Sequence, residues 1–144
     1  MLDRARILAL IPHQGAMCLL DTMMSWDREH IVCGSRSHLD PAHPLRRDGR
    51  LGAVCGVEYG LQAAALHGAL CAGGVPQPAG YVAALRGVEF DVTRLDDPAF
   101  GALRIEADLE ASSPAGLIYA FRVLAASGAS LLAGRGTVML PRAA

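Results

Sequence analysis

An α+β fold, one long helix packed on an antiparallel sheet, is predicted by three observations. Residues 51–72 hold the one long run of helix formers. Two extended runs precede it and four follow it. Successive extended runs are separated by short turns, which antiparallel neighbours tolerate and parallel ones do not. Strands grouped on either side of a single helix cannot be doubly wound, so the apolar face of the sheet must close on that helix.

The elements follow in order. Residues 4–10 make a short helical turn that Pro12 stops. His13-Gln14-Gly15-Ala16 reads as a turn into an extended segment. Residues 17–26 and 30–38 are predicted strands, joined by Asp27-Arg28-Glu29. Pro41 and Pro44 make residues 39–50 a loop. Ala, Leu, Gln and Glu favour a helix over 51–72, and Gly73-Gly74 with Pro76 and Pro78 end it. Extended runs at 81–93, 103–111, 117–126 and 130–140 are divided by Asp96-Asp97-Pro98, Ser112-Ser113-Pro114 and Ser127-Gly128-Ala129. From Leu103 to Glu110 charged and apolar residues alternate, which puts one face of that strand on a core.

Gly52, Gly56, Gly60, Ala64, Gly68 and Ala72 recur at every fourth helical position, so one ridge of the helix is nearly bare. Each glycine costs about 1 kcal/mol against alanine. Close packing against the sheet is the expected return. Glu58, Gln62 and His67 within the same helix argue against a membrane interface.

The 144 residues fit one domain, 1–144, large enough to bury roughly 70% of its unfolded surface. Hydrophobic residues at 52% against 19% charged exclude a disordered chain. Thirteen Lys and Arg against fourteen Asp and Glu leave a net charge of −1. That balance makes no case for nucleic acid and leaves self-association open. Cys18, Cys33, Cys55 and Cys71 form no C-x-x-C pair and sit in apolar surroundings, so buried thiols in a reducing cytoplasm are expected. The first residues lack an export signal, and no stretch of about 18 uncharged apolar residues predicts a membrane span.

Few residues can do chemistry. Glu58 lies among small and apolar neighbours, where a carboxyl has a raised pKa unless a partner compensates, as a general acid requires. Equally, it is an acid that merely favours the helix dipole. Gln62, one turn on, shares its face. His13 and His43 are loop histidines, candidate bases or plain surface residues. His67, nine residues past Glu58, is half a turn out of phase with it. His30 and His38 read as strand ends, and no ligand spacing completes a metal site. No nucleophile elbow and no nucleotide loop is present.

Taken together, these segments resemble a known family. The residues are Ile11-Pro12-His13-Gln14-Gly15-Ala16-Met17-Cys18-Leu19-Leu20-Asp21, the loop from His43 to Leu51, Gly56-Val57-Glu58-Tyr59-Gly60-Leu61-Gln62-Ala63, the run from Gly80 to Phe90 and Gly134-Arg135-Gly136-Thr137-Val138. The chain resembles the hotdog-fold 3-hydroxyacyl-[acyl carrier protein] dehydratases, closest to the small dehydratases of aryl-polyene and fatty-acid-like gene clusters. The resemblance implies a curved antiparallel sheet wrapped around one central helix, with two units paired edge to edge and sites at their interface. It matches Glu58 to the family's helix carboxylate and Gln62 to the glutamine four residues later.

One departure is plain. The Gly-His-Phe-Pro motif of the housekeeping enzymes is missing, and Arg47-Asp48-Gly49-Arg50 stands where it would be sought. The base is then His13 by first choice or His43 by second, or it comes from a partner chain, or it is absent.

The implied reaction is dehydration of a 3-hydroxyacyl thioester, on acyl carrier protein or coenzyme A, to the trans-2-enoyl thioester. His13 is expected as base and Glu58 as acid. Backbone N–H groups around Cys55 and Gly56 are expected to meet the developing oxyanion, and Gln62 and His43 to line the substrate site. No cofactor or metal is expected. A homodimer, or a heterodimer with a related hotdog subunit, is expected. Two rival readings are a hotdog acyl thioesterase and a non-catalytic subunit of a heterodimeric dehydratase. Arg46, Arg47 and Arg50 read as a solvated loop in preference to a contact for an acidic carrier or a phosphate arm.

Overall fold

A computed structural model describes residues 1–78 and 80–140. Its elements are α1 (Arg4–Leu8), β1 (Thr22–Trp26), β2 (His30–Ser35), α2 (Gly56–Cys71), β3 (Tyr81–Phe90), β4 (Leu103–Ser112), β5 (Gly116–Leu124) and β6 (Ser130–Met139). The six strands form one antiparallel sheet in the order β1-β2-β4-β5-β6-β3. The predicted count of two strands, one long helix and four strands holds.

Strands β3 and β5 end at Phe90 and Leu124, short of the expected 93 and 126, and three further boundaries differ for a backbone reason. The expected strand at 17–26 begins only at Thr22, because residues 15–17 form a 3-10 turn. The carbonyls of this stretch are taken by side chains: Arg4 donates to Gly15 and Cys18, Gln62 to Met17, and Ser35 and Ser37 to Leu19. The expected strand at 30–38 stops at Ser35, and His38 lies in a 3-10 turn, Ser37–Leu39. Helix α2 starts at Gly56 because the bonds of Leu51 and Ala53 to Leu95 and Thr93 hold Gly52 extended, after which Ala53–Cys55 make a 3-10 turn.

Helix α2 packs on one face of the sheet, burying Tyr59, Ala63, Leu66 and Ala69 in one core with Ile105, Phe121, Val123 and Leu132. The bare ridge is partly explained by this contact. A Cβ at Gly56 would stand 2.2 Å from Leu132 Cδ2, and one at Gly60 would stand 2.5 Å from Phe121 Cδ1. A Cβ at Gly68 would meet nothing within 4 Å among the described residues outside its own helix, so packing among these does not account for that glycine.

The charges of β4 do share one face, but they are not simply solvated. Glu106 is buried under Arg104, Arg122 and His30, and Arg122 also reaches Asp108. Strand β3 pairs only with β6, and its outer edge carries exposed Tyr81, Val82, Leu85 and Phe90.

Candidate active site

The loop that carries His13 is fastened by side chains. Besides the ties just named, Gln14 Nε2 donates to the Leu8 and Ile11 carbonyls. These bonds bring His13 onto α2, where its Nε2 lies 3.2 Å from Glu58 Oε1. His13 and Glu58 keep 29% and 32% of their side-chain surface exposed, so a substrate can reach the pair. Gln62 is fully buried and donates to Glu58 Oε1 at 3.3 Å. The His13 hydrogen bond, seconded by Gln62, holds the Glu58 carboxyl below its ordinary pKa and outweighs the burial that raises it. The compensating partner thus exists, and at rest Glu58 is a carboxylate acceptor rather than a stored acid.

The structure separates His43 from the pair. His43 is buried, and its Nδ1 accepts from the Leu45 N–H at 3.1 Å while Nε2 meets Tyr59 Oη at 3.1 Å. Its one lone pair is already used, and burial together with Arg46 lowers its pKa. It offers no free base and no surface to a substrate.

Two other expected groups are committed elsewhere. The Cys55 N–H bonds to the Gly52 carbonyl, and the Gly56 N–H turns back to Ala53 and Val54, so neither is a free oxyanion donor. Gly56 is glycine because Leu132 occupies the space, not to admit a thioester. Arg46 is a strut rather than a solvated cation, bonding to the Asp40, His38 and Gly49 carbonyls and to Asp96. Arg47 and Arg50 are exposed and make no ion pair among the described residues. Of the thiols, Cys18 and Cys33 are buried, with Cys33 pushed up to about 12, but Cys71 is exposed and Cys55 half-buried. His67 is buried on the far face of α2 against Tyr119 and the Asp27 carbonyl, out of the site as its phase requires. Among the described residues no group of three His, Cys, Asp or Glu is placed to hold a metal, and no helix is long and apolar enough to cross a membrane.

His38, which reads as a strand end in the sequence, is instead a buried residue of a 3-10 turn. It is fully buried, and neither ring nitrogen finds a hydrogen-bond partner among the described residues. Burial lowers its pKa, as it does that of His43. The unfolded chain therefore binds these two protons more readily, and stability is lost as pH falls below about 6.5. The loss reaches up to about 1.4 kcal/mol per histidine at one unit below that value. Urea unfolding at pH 7.5 and 5.5 is expected to show the falling midpoint, with a smaller fall in His38→Leu. Equal midpoints in the wild type would mean that neither ring is held neutral.

Comparison with known proteins gives the following. A family model described as ApeP dehydratase matches residues 5–144. The structure of the dehydratase heterocomplex ApeI:P from Xenorhabdus doucetiae aligns at TM-score 0.81 and 19% identity, covering 99% of this chain and 93% of that one. The PaaI protein from the phenylacetic acid degradation operon of E. coli aligns at TM-score 0.60 and 12% identity, covering 81% and 80%. A thioesterase of Haemophilus influenzae aligns at TM-score 0.58 and 10% identity, covering 83% and 77%. At such identities the likeness is one of fold, and the fold is the hotdog. No curated protein matches significantly.

Proposed function

The chain belongs to the ApeP-like dehydratase family, and from that premise we propose that it converts a 3-hydroxyacyl thioester on an acyl carrier protein to the trans-2-enoyl thioester. The pathway is of the fatty-acid or polyene type. The observation that carries the reading is the exposed His13–Glu58 contact at 3.2 Å.

Dehydration breaks the Cα–H bond, turns its electron pair into the C=C bond and expels the β-hydroxyl, which leaves with a proton as water. The site must accept one proton and give one. A single proton shared between His13 Nε2 and Glu58 Oε1 suffices for both. The lowered pKa of Glu58 keeps its carboxyl ionised, so Glu58 is the acceptor of the pair. In this reading the Glu58 carboxylate takes the α-proton and His13 protonates the departing hydroxyl, the reverse of the roles expected from sequence. A proton returning across the contact restores the pair. Gln62 orients the carboxylate and does not itself react.

The partner follows from the edge of the sheet. β3 offers one unpaired strand edge and exposed Tyr81, Val82, Leu85 and Phe90, a surface that a second strand covers. The similar chain belongs to a heterocomplex, which supports a related hotdog subunit as that partner in preference to a second copy of this chain. Four free thiols favour a reducing cytoplasm as the compartment.

The test is hydration of a short trans-2-enoyl thioester on a carrier protein, with this chain alone and mixed with the partner subunit. The expected product carries one added water and releases no thiol. Thiol release without hydration would replace the proposal with a thioesterase. Activity that needs only the partner, and persists when His13 and Glu58 are both replaced here, would reduce this chain to a structural subunit.

A further inference from the structure

Outside the pair, buried polar groups form a one-way chain that ends on the segment carrying His13. It starts where the Leu45 N–H donates to His43 Nδ1. The His43 proton is therefore on Nε2, which donates to Tyr59 Oη at 3.1 Å. Ser37 Oγ donates to the Leu19 carbonyl at 2.8 Å, so in its 2.7 Å contact with Tyr59 the phenol donates. The donors run in sequence from His43 through Tyr59 and Ser37 to the Leu19 carbonyl, to which Ser35 Oγ also donates. On the other side of the same residue, the Leu19 N–H donates to Gln62 Oε1 at 2.9 Å. Tyr59 and Gln62 are three apart on α2, so one face of the helix grips Leu19 from both sides.

We infer that Tyr59, oriented by His43, is a positioning residue for the His13–Glu58 pair: through Ser37 it seats Leu19 on α2 and so sets where the preceding loop presents His13. This rests on the acid–base reading of the pair given above. Tyr59 and His43 are both buried and present almost no surface to solvent. The loop has no strand partner over residues 13–20, so these side-chain ties are what hold it. A misplacement of about 1 Å at reacting groups costs on the order of 100-fold in rate, so partial slack at Leu19 is expected to cost about tenfold.

The test is Tyr59→Phe in the dehydratase assembled with the proposed partner subunit. Phenylalanine keeps the packing and removes only the hydroxyl. The expected result is kcat about tenfold lower, KM within about twofold, and the acid limb of the kcat profile moved to higher pH. The limb moves because a slack His13 contact lets the Glu58 pKa rise; the titratable groups beside Glu58 are His13 and Cys55. His43→Gln, which keeps an N–H donor for Tyr59, is expected to lose less than His43→Leu. Wild-type kcat and acid limb in Tyr59→Phe would overturn the inference. So would a fall that only tracks the folded fraction and leaves the limb in place, since that is a structural effect. Complete loss in a well-folded His43→Gln would also overturn it, by making His43 a reacting group. Unchanged activity in His13→Ala is a different failure, that of the acid–base reading itself.

Discussion

Glu58→Gln and His13→Ala are each expected to lower kcat for dehydration by about 10²–10⁴-fold, the usual worth of one positioned acid–base group. Both side chains are about one-third exposed, and their contact is solvent-screened, so the fold should be little affected. Glutamine at 58 keeps the shape of the side chain and an oxygen for His13 but cannot take a proton. Alanine at 13 removes the proton the hydroxyl needs and also frees the carboxylate to titrate nearer its ordinary pKa. The two residues act as a unit, so the double variant should cost little more than the worse single one. Single-turnover rates with the partner subunit present, beside thermal midpoints, measure this. A double variant whose loss is the product of the two single losses would mean two independent groups, and the shared-proton mechanism would fall. Loss in His13→Ala alone would move the second group to the partner chain.

What was legible in the sequence was local. The order of strands and helix follows from turn residues and spacing, and both are visible within a few residues of each element. The pair His13 and Glu58 was also named from sequence, through motif resemblance and an acid on an apolar helix. What failed to show was set by contacts between distant segments. Gln62 holds Leu19 and Met17 across some forty residues, so the strand expected at 17 gives way to a side-chain-tied loop. The Glu58 pKa was read from its helical neighbours alone, whereas its largest influence arrives from the His13 loop.

The histidines show the same limit. His43 reads as a surface loop residue, yet its ring stacks near Tyr59 and closes a buried hydrogen-bond chain. One signal was available: Tyr59 sits on a mostly buried helix, and a buried phenol requires a partner. Nothing comparable announces His38, which stands between Ser37 and Leu39 in a polar stretch although the ring is sealed. The oxyanion donors expected at Cys55 and Gly56 failed for a reason of geometry. The helix begins with a 3-10 turn, and those N–H groups close the turn itself.

Gly60→Ala is expected to destabilise the protein by about 2 kcal/mol, whereas Gly68→Ala on the same helix should stabilise it by about 0.5–1 kcal/mol. Both changes gain the same helix propensity, so the sign is decided by what the new methyl meets. At position 60 it would stand 2.5 Å from Cδ1, 2.6 Å from Cγ and 2.9 Å from Cβ of Phe121. Three close atoms that include the Cβ cannot all be relieved by rotating the ring, so β5 or α2 must shift. At position 56 the atom in the way is Leu132 Cδ2, the end of a flexible side chain, and an intermediate cost is expected. At position 68 no atom of the described residues outside the helix's own backbone lies within 4 Å. For a chain of this size the midpoint should move roughly 3–4 °C per kcal/mol, so the two variants separate by about 8–12 °C in thermal unfolding. Activity should separate them further. Gly60 is two residues past Glu58, and a helix pushed off the sheet there draws the carboxylate away from His13. Gly60→Ala should therefore lose more activity than its folded fraction explains, while Gly68→Ala keeps wild-type kcat. A shift of the same sign in both variants would mean that α2 is not seated on Phe121 as described, and the placement of Glu58 would have to be revised with it.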